Sequence, residues 1–261
     1  MASALISGLV GAQNPPRSIR VSDPSAEARQ RLQSTFGAEC FERSEDAVRD
    51  ADLIVLAVKP QVMPAVLAEL GDCVQGDPLL LSIAAGITVE TLRAAFEPPP
   101  PVVRAMPNTP ALIGRGISGA FAGPGCGPQQ RALAESVLTA AGECVWIEDE
   151  ALMDVVTAVS GSGPAYFFLL IEAMRDAGQA LGLSADTANQ LALHTAAGAG
   201  AMAIDSNVDV AELRRRVTSP GGTTQAALEA FRDGGFEALV SKAVTAATRR
   251  GQALARKEPS A

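Results

Sequence analysis

Short runs that are apolar on both faces recur through the first half of the chain, and each is followed by a segment with apolar positions at helical spacing. Asp52-Leu-Ile-Val-Leu-Ala-Val58 and Leu79-Leu-Leu-Ser-Ile-Ala84 are the clearest, and such runs belong to a parallel sheet covered by helices on both faces. Ser18-Ile-Arg-Val-Ser22, Val102-Val-Arg-Ala105, Gly116 to Ala122 and Cys144-Val-Trp-Ile147 read as further strands. Helices are predicted at Ala2 to Val10, from Asp23-Pro24 to Phe36 with the proline in the first turn, at Pro60 to Leu70, at Thr88 to Phe96 and at Gln129 to Ala141. After about Glu148 the strand signal ends. One helix is predicted to end near Val159, others to span Pro164 to Leu181, Ala185 to Ile204 and Val210 to Val217, and two more to follow Pro220 and Gly235. The pattern predicts an α/β chain: a doubly wound, Rossmann-like parallel sheet over residues 1–148, then an all-α domain over residues 149–261.

Composition narrows the chemistry. The 261 residues carry a net charge of −8, and 48% are hydrophobic but only 4% aromatic. Partners that are nucleic acids or anionic membranes need an electropositive face, so neither is expected. Cys40, Cys73, Cys126 and Cys144 form no Cys-x-x-Cys pair, and buried thiols are expected rather than a metal site. His194, the single histidine, lies in an Ala-rich helical stretch and is read as a packed helix residue. No uninterrupted apolar run reaches the roughly 18 residues of a membrane span, and no basic residue precedes the apolar start as in a signal peptide. A cytoplasmic location follows as the default.

Doubly wound sheets bind dinucleotides beyond the carboxyl ends of their strands, with a glycine-rich turn leading from the first strand into the first helix. Ala2 to Val10 reads as that first helix and Val21-Ser-Asp23 as the end of the second strand, so the first strand and its glycine turn would precede Met1. Ser22, Asp23 and Arg29 fall where an adenosine ribose is read. Asp23 suits a 2′-hydroxyl, whereas Ser22 or Arg29 suits a 2′-phosphate, leaving NADH and NADPH both open. Val58, Lys59 and Pro60 close one strand, and Lys59 is either an ammonium for ribose or phosphate or a solvated strand-end lysine. Ala84, Ala85 and Gly86 close the next with residues small enough for a flat ring to lie against backbone.

Two segments lead from glycines into helices: Ser160-Gly-Ser-Gly-Pro-Ala-Tyr166 and Thr218-Ser-Pro-Gly-Gly-Thr-Thr224. In the second, Ser219 is the expected N-cap, Pro220 the first turn, and Gly221 and Gly222 expose backbone N–H groups suited to a small carboxylate. Ala57-Val-Lys-Pro60, Ser82-Ile-Ala-Ala-Gly86, Arg104-Ala-Met-Pro-Asn-Thr-Pro110, Ala158 to Tyr166 and Val217 to Thr224 occur in order over nearly the whole chain. In this the sequence resembles the pyrroline-5-carboxylate reductases, the last enzymes of proline biosynthesis.

The resemblance implies hydride transfer from NADPH or NADH to the C=N carbon of 1-pyrroline-5-carboxylate, with no metal. It implies cofactor contacts at Ser22, Asp23, Ser44, Val58, Lys59, Pro60, Ala84, Ala85, Gly86, Met106, Pro107 and Asn108. The substrate would be held at Val217, Ser219, Gly221, Gly222, Thr223 and Thr224, with Thr224 the catalytic hydroxyl at the ring nitrogen. It also implies a helical domain that interlocks into a homodimer, in some members a homodecamer, and an opening strand and glycine turn that either lie in a longer reading frame or are lost from this protein. Ser44 departs from the family, standing where relatives often carry Asn. Two other readings remain at this point: a non-catalytic dimeric homologue, and a reductase of another cyclic imine. A 3-hydroxy acid reductase is weaker, since residues 162–181 lack the lysine such enzymes use.

Overall fold

Among the described residues seven strands form in two sheets, six of them where the apolar runs predict them. β1 (Arg20–Ser22) pairs in parallel with β2 (Glu39–Phe41), and β3 (Leu53–Leu56), β4 (Leu79–Ser82), β5 (Val102–Met106), β6 (Gly116–Ala122) and β7 (Gly142–Trp146) form a second sheet in that order. This computed structural model describes residues 1–13 and 15–255. β3, β4 and β5 are parallel, but β6 runs antiparallel to β5. The reason is the connection: Thr109–Ile113 forms only a short 3-10 turn, too little chain for a crossover, so β6 must return. α6 (Pro128–Thr139) does provide a crossover, and β7 lies parallel to β6. The fold class stands, with one reversal that a run of apolar residues cannot signal.

Helices flank the larger sheet. α1 (Ala2–Val10) buries Ala4 and Leu5 with Ala111 and Ala141, and a Cβ on Gly8 would stand 1.9 Å from the Ala140 carbonyl oxygen, so the backbones meet only because that residue is glycine. α2 (Ala26–Phe36) begins later than predicted: Ser25 is its N-cap, accepting from Ala28 N–H, while the Asp23 carboxylate accepts from Ser25 N–H. β2 and the short α3 (Ser44–Val48), absent from the sequence expectation, are too brief to show periodicity. α4 (Met63–Gly71), preceded by a 3-10 turn at Pro60–Val62, packs with α5 (Val89–Arg93) over one face of the sheet through Met63, Leu67, Leu70, Val89 and Leu92.

After β7 the chain stays helical from Glu150 to Ala180: a 3-10 turn, α7 (Met153–Val156), a π-turn (Thr157–Gly161) and α8 (Gly163–Ala180). The break expected near Val159 does not occur. The stretch is long and apolar enough, by length and composition only, to cross a membrane, although it holds no uninterrupted apolar run of that length. α9 (Ala185–Asp205), α10 (Val210–Arg216), α11 (Thr223–Asp233) and α12 (Phe236–Ala255) complete the described residues. Two compact units result among the described residues: Met1–Ser162 with residues 247–255, and Gly163–Ala246. The second unit buries little; among the described residues its fully buried apolar side chains are Ala188 and Ala192.

Candidate functional site

The parallel register of β3, β4 and β5 sets Leu56 opposite Ser82 and Ser82 opposite Arg104, so the residues after these strands emerge side by side at one edge. That edge carries Val58, Lys59 and Pro60 after β3, Ala84, Ala85 and Gly86 after β4, and Met106, Pro107 and Asn108 at the end of β5. Lys59 and Ala85 are exposed, Val58, Pro60, Gly86 and Met106 half-buried, and Ala84, Pro107 and Asn108 buried. Gly86 has φ of 77°, which favours glycine, and the end of α12 at Ala255 lies against it.

The smaller sheet brings Ser22 and Ser44 together. Ser22 Oγ donates to Ser44 Oγ at 3.4 Å, Ser44 Oγ donates to Glu69 Oε2 at 3.4 Å and Ser44 N–H to Glu69 Oε1 at 3.0 Å. Sequence reasoning missed Glu69, an exposed residue of α4. Arg29, one candidate for a 2′-phosphate, is committed elsewhere: its guanidinium donates to the Asp23 and Pro24 carbonyls and pairs with Glu42 at 3.5 Å.

Arg104, also unremarked as a structural residue, is buried on β5 and bonds Glu150 Oε1 at 2.6 Å. The same oxygen accepts from Val89 N–H, the first amide of α5, at 2.7 Å. One carboxylate thus neutralises a buried cation and caps a helix N-terminus.

Asn108 is placed differently from a ligand-facing amide. Its Oδ1 accepts from Ile117 N–H at 3.0 Å and its Nδ2 donates to the Ser160 carbonyl at 3.2 Å.

The expected substrate residues lie together in the second unit. Val217 follows α10, and the Thr218 hydroxyl donates to the Arg214 carbonyl at 2.6 Å, closing that helix. The N-cap of α11 is Gly222, not Ser219; Ser219 to Gly222 form a turn in which Gly222 N–H donates to the Ser219 carbonyl at 3.0 Å. Pro220 lies in this turn because Gly221, at φ of 68°, takes a left-handed conformation that no helical turn contains. Gly221 N–H donates to the Gln225 side chain at 2.7 Å, so two of the expected carboxylate donors, Gly221 and Gly222, have internal acceptors. Thr223 and Thr224 are the first residues of α11, Thr223 exposed and Thr224 half-buried. Ser160-Gly-Ser-Gly does not form a matching terminus, because the π-turn carries the helix through it.

Other expectations are corrected. His194 is exposed on α9 and its Nε2 lies 3.1 Å from Gln190 Oε1, so it is not packed inside. The cysteines are half-buried rather than buried. Burial, with Glu135 nearby, pushes the Cys144 thiol up to about 11, keeping it protonated at neutral pH.

Residues 150–254 match the family described as pyrroline-5-carboxylate reductase dimerisation, and residues 1–86 the family described as NADP oxidoreductase, coenzyme F420-dependent. A pyrroline-5-carboxylate reductase of Pseudomonas aeruginosa is 51% identical over 98% of this chain and 93% of its own length, and one of Pasteurella multocida is 40% identical over 97% and 94%. Among solved structures, a pyrroline-5-carboxylate reductase from Coxiella burnetii superposes with a TM-score of 0.93 at 36% identity, covering 97% of this chain and 94% of that one. A Plasmodium falciparum pyrroline carboxylate reductase with NADP bound superposes at 0.84 and 30% identity, with 97% and 94% coverage.

Proposed function

This chain belongs to the pyrroline-5-carboxylate reductase family, and from that premise we propose that it reduces 1-pyrroline-5-carboxylate to L-proline with NADPH or NADH, in proline biosynthesis. The observation that carries this reading is the 51% identity to such a reductase across 98% of the chain.

The residues at the strand ends fit a nicotinamide dinucleotide. Ala84, Ala85 and Gly86 offer backbone with little side chain, and Ser22 and Ser44 present paired hydroxyls at the end of the neighbouring sheet. When bound, the reduced nicotinamide supplies the hydride. Val58, Lys59 and Pro60 with Ala84 to Gly86 hold the dinucleotide, Ser22, Asp23 and Ser44 take its adenosine side, and Met106 and Pro107 wall the nicotinamide. Such a field-poor chain, at −8 net charge, meets phosphate locally, by backbone N–H groups and Lys59, rather than by a general positive potential.

In the helical half, Ser219, Gly221, Gly222 and Thr223 hold the substrate carboxylate with backbone N–H groups, and Val217 lines the ring. The carboxylate takes the Gly221 donor by displacing the Gln225 carbonyl that now occupies it, and shares the Gly222 donor with the Ser219 carbonyl. The Thr224 hydroxyl holds the ring nitrogen. A protonated imine accepts hydride at its carbon far better than a neutral one, so the protein's task is alignment and retention of that proton. Hydride adds to the C=N carbon, the C=N π pair stays on nitrogen, and the product amine keeps the proton.

The same reading assigns residues 1–148 to the dinucleotide and 149–261 to substrate and dimerisation, with a homodimer as the working unit, a decamer as its higher assembly, and a cytoplasmic location. The test is the loss of reduced-nicotinamide absorbance on adding 1-pyrroline-5-carboxylate, with L-proline identified as product. Stoichiometric proline is expected; no oxidation of either dinucleotide would overturn the assignment.

A further inference from the structure

In an α-helix each carbonyl accepts from the N–H four residues later. For Ser160 that position is Pro164, which has no N–H to give. Just before it the helix widens into the π-turn at Thr157–Gly161, closed by Ser162 N–H donating to the Thr157 carbonyl at 2.8 Å. π-turns of this kind recur at functional sites. The Ser160 carbonyl is met from outside the helix, by Nδ2 of Asn108 at 3.2 Å, while Oδ1 of the same amide holds Ile117 N–H at 3.0 Å. Asn108 is only 8% exposed, so both ends of its amide are committed in a place that water does not replace. A second contact joins the same two segments. Gly161 faces Met106, and a Cβ there would stand 3.0 Å from the Met106 methyl carbon.

We propose that Asn108 is a positioning residue of the reductase, acting through the Ser160 carbonyl rather than by touching the dinucleotide. The inference rests on the reading that Met106 and Pro107 wall the nicotinamide. Asn108 supplies the donor that Pro164 removes, and in doing so anchors the end of β5 to the π-turn. Met106 is then held by its own strand before it, by the anchored Asn108 beyond Pro107, and by Gly161 against its methyl carbon. A wall left loose lets the ring take many orientations, and the rate of a reaction between two flat rings depends steeply on their alignment. The cost falls on turnover and not on dinucleotide affinity, because the groups that hold the dinucleotide lie on other strands.

The sequence offers its own rescue. Asn108→Asp keeps an acceptor for Ile117 N–H and loses the donor to Ser160, whereas Pro164→Ala gives the Ser160 carbonyl a backbone donor. Asn108→Asp is expected to lower kcat about tenfold with KM for both substrates within about twofold. It should also speed amide hydrogen exchange across residues 157–163 in the absence of dinucleotide. Adding Pro164→Ala is expected to restore most of both losses. Should the Asp variant fail to fold by circular dichroism, the neutral Asn108→Ser carries the same expectation. Effects that simply multiply in the double variant overturn the inference, as does a loss confined to dinucleotide affinity with exchange unchanged. Wild-type protein that oxidises neither dinucleotide defeats the functional reading instead, so the two failures are distinct.

Discussion

On the proposed reading, Thr224 is the residue on which the chemistry turns. It stands second in α11, half-buried, two residues after Gly222, whose amide donates to the Ser219 carbonyl, as that of Gly221 does to the Gln225 side chain. Thr224→Ala is expected to lower turnover by more than about tenfold, the scale of a lost interaction to the reacting group, with an unchanged circular dichroism spectrum. Unchanged turnover would take the role away. Residue types and spacing made Thr224, Gly221 and Lys59 candidates, because each belongs to a contiguous motif. They did not make Asn108 legible: its partners are nine and 52 residues away, and which atoms a side-chain amide bonds is decided by what folds against it. His194 failed for a related reason, since apolar neighbours in sequence do not say which way a helix face points.

At the level of elements, Glu150 ties three of them. It lies in the turn after β7, neutralises Arg104 on β5 and caps α5 at Val89. Arg104 has a side chain only 7% exposed, so removing its partner leaves a buried cation and an orphaned helix amide. Glu150→Ala is expected to destabilise the protein by about 3 kcal/mol, at the low end for a broken buried pair because Glu150 itself is 27% exposed. A urea titration reads this directly; a midpoint equal to that of the wild type would show the pair to be dispensable. Strands and long helices were legible from periodicity, whereas β2, α3 and the 3-10 turn before β6 are too short to carry a period. The uninterrupted passage through Ser160-Gly-Ser-Gly was hidden by the glycines and proline that ordinarily end helices.

For the whole molecule, the second unit is the informative part. Phe167, Phe168, Leu169, Leu181, Ile204 and Leu239 are each more than 60% exposed in a single chain, far more apolar surface than a monomer ordinarily presents. With the dimerisation family matched over residues 150–254, sedimentation is expected to give a homodimer or a multiple of it at micromolar concentration; a monomer that stays folded would contradict that assembly. The sequence by itself determined the alternation of strands and helices, the change to helix after β7, and the order of motifs that marks the family, because these depend on local periodicity and on runs of contiguous residues. Only the tertiary structure decided that β6 is reversed, that Arg104 and Glu150 meet, that Arg29 is already occupied and that Asn108 serves Ser160. Those outcomes depend on partners far apart in the chain, and a buried polar group's role is set by the donors and acceptors that folding brings within hydrogen-bond reach.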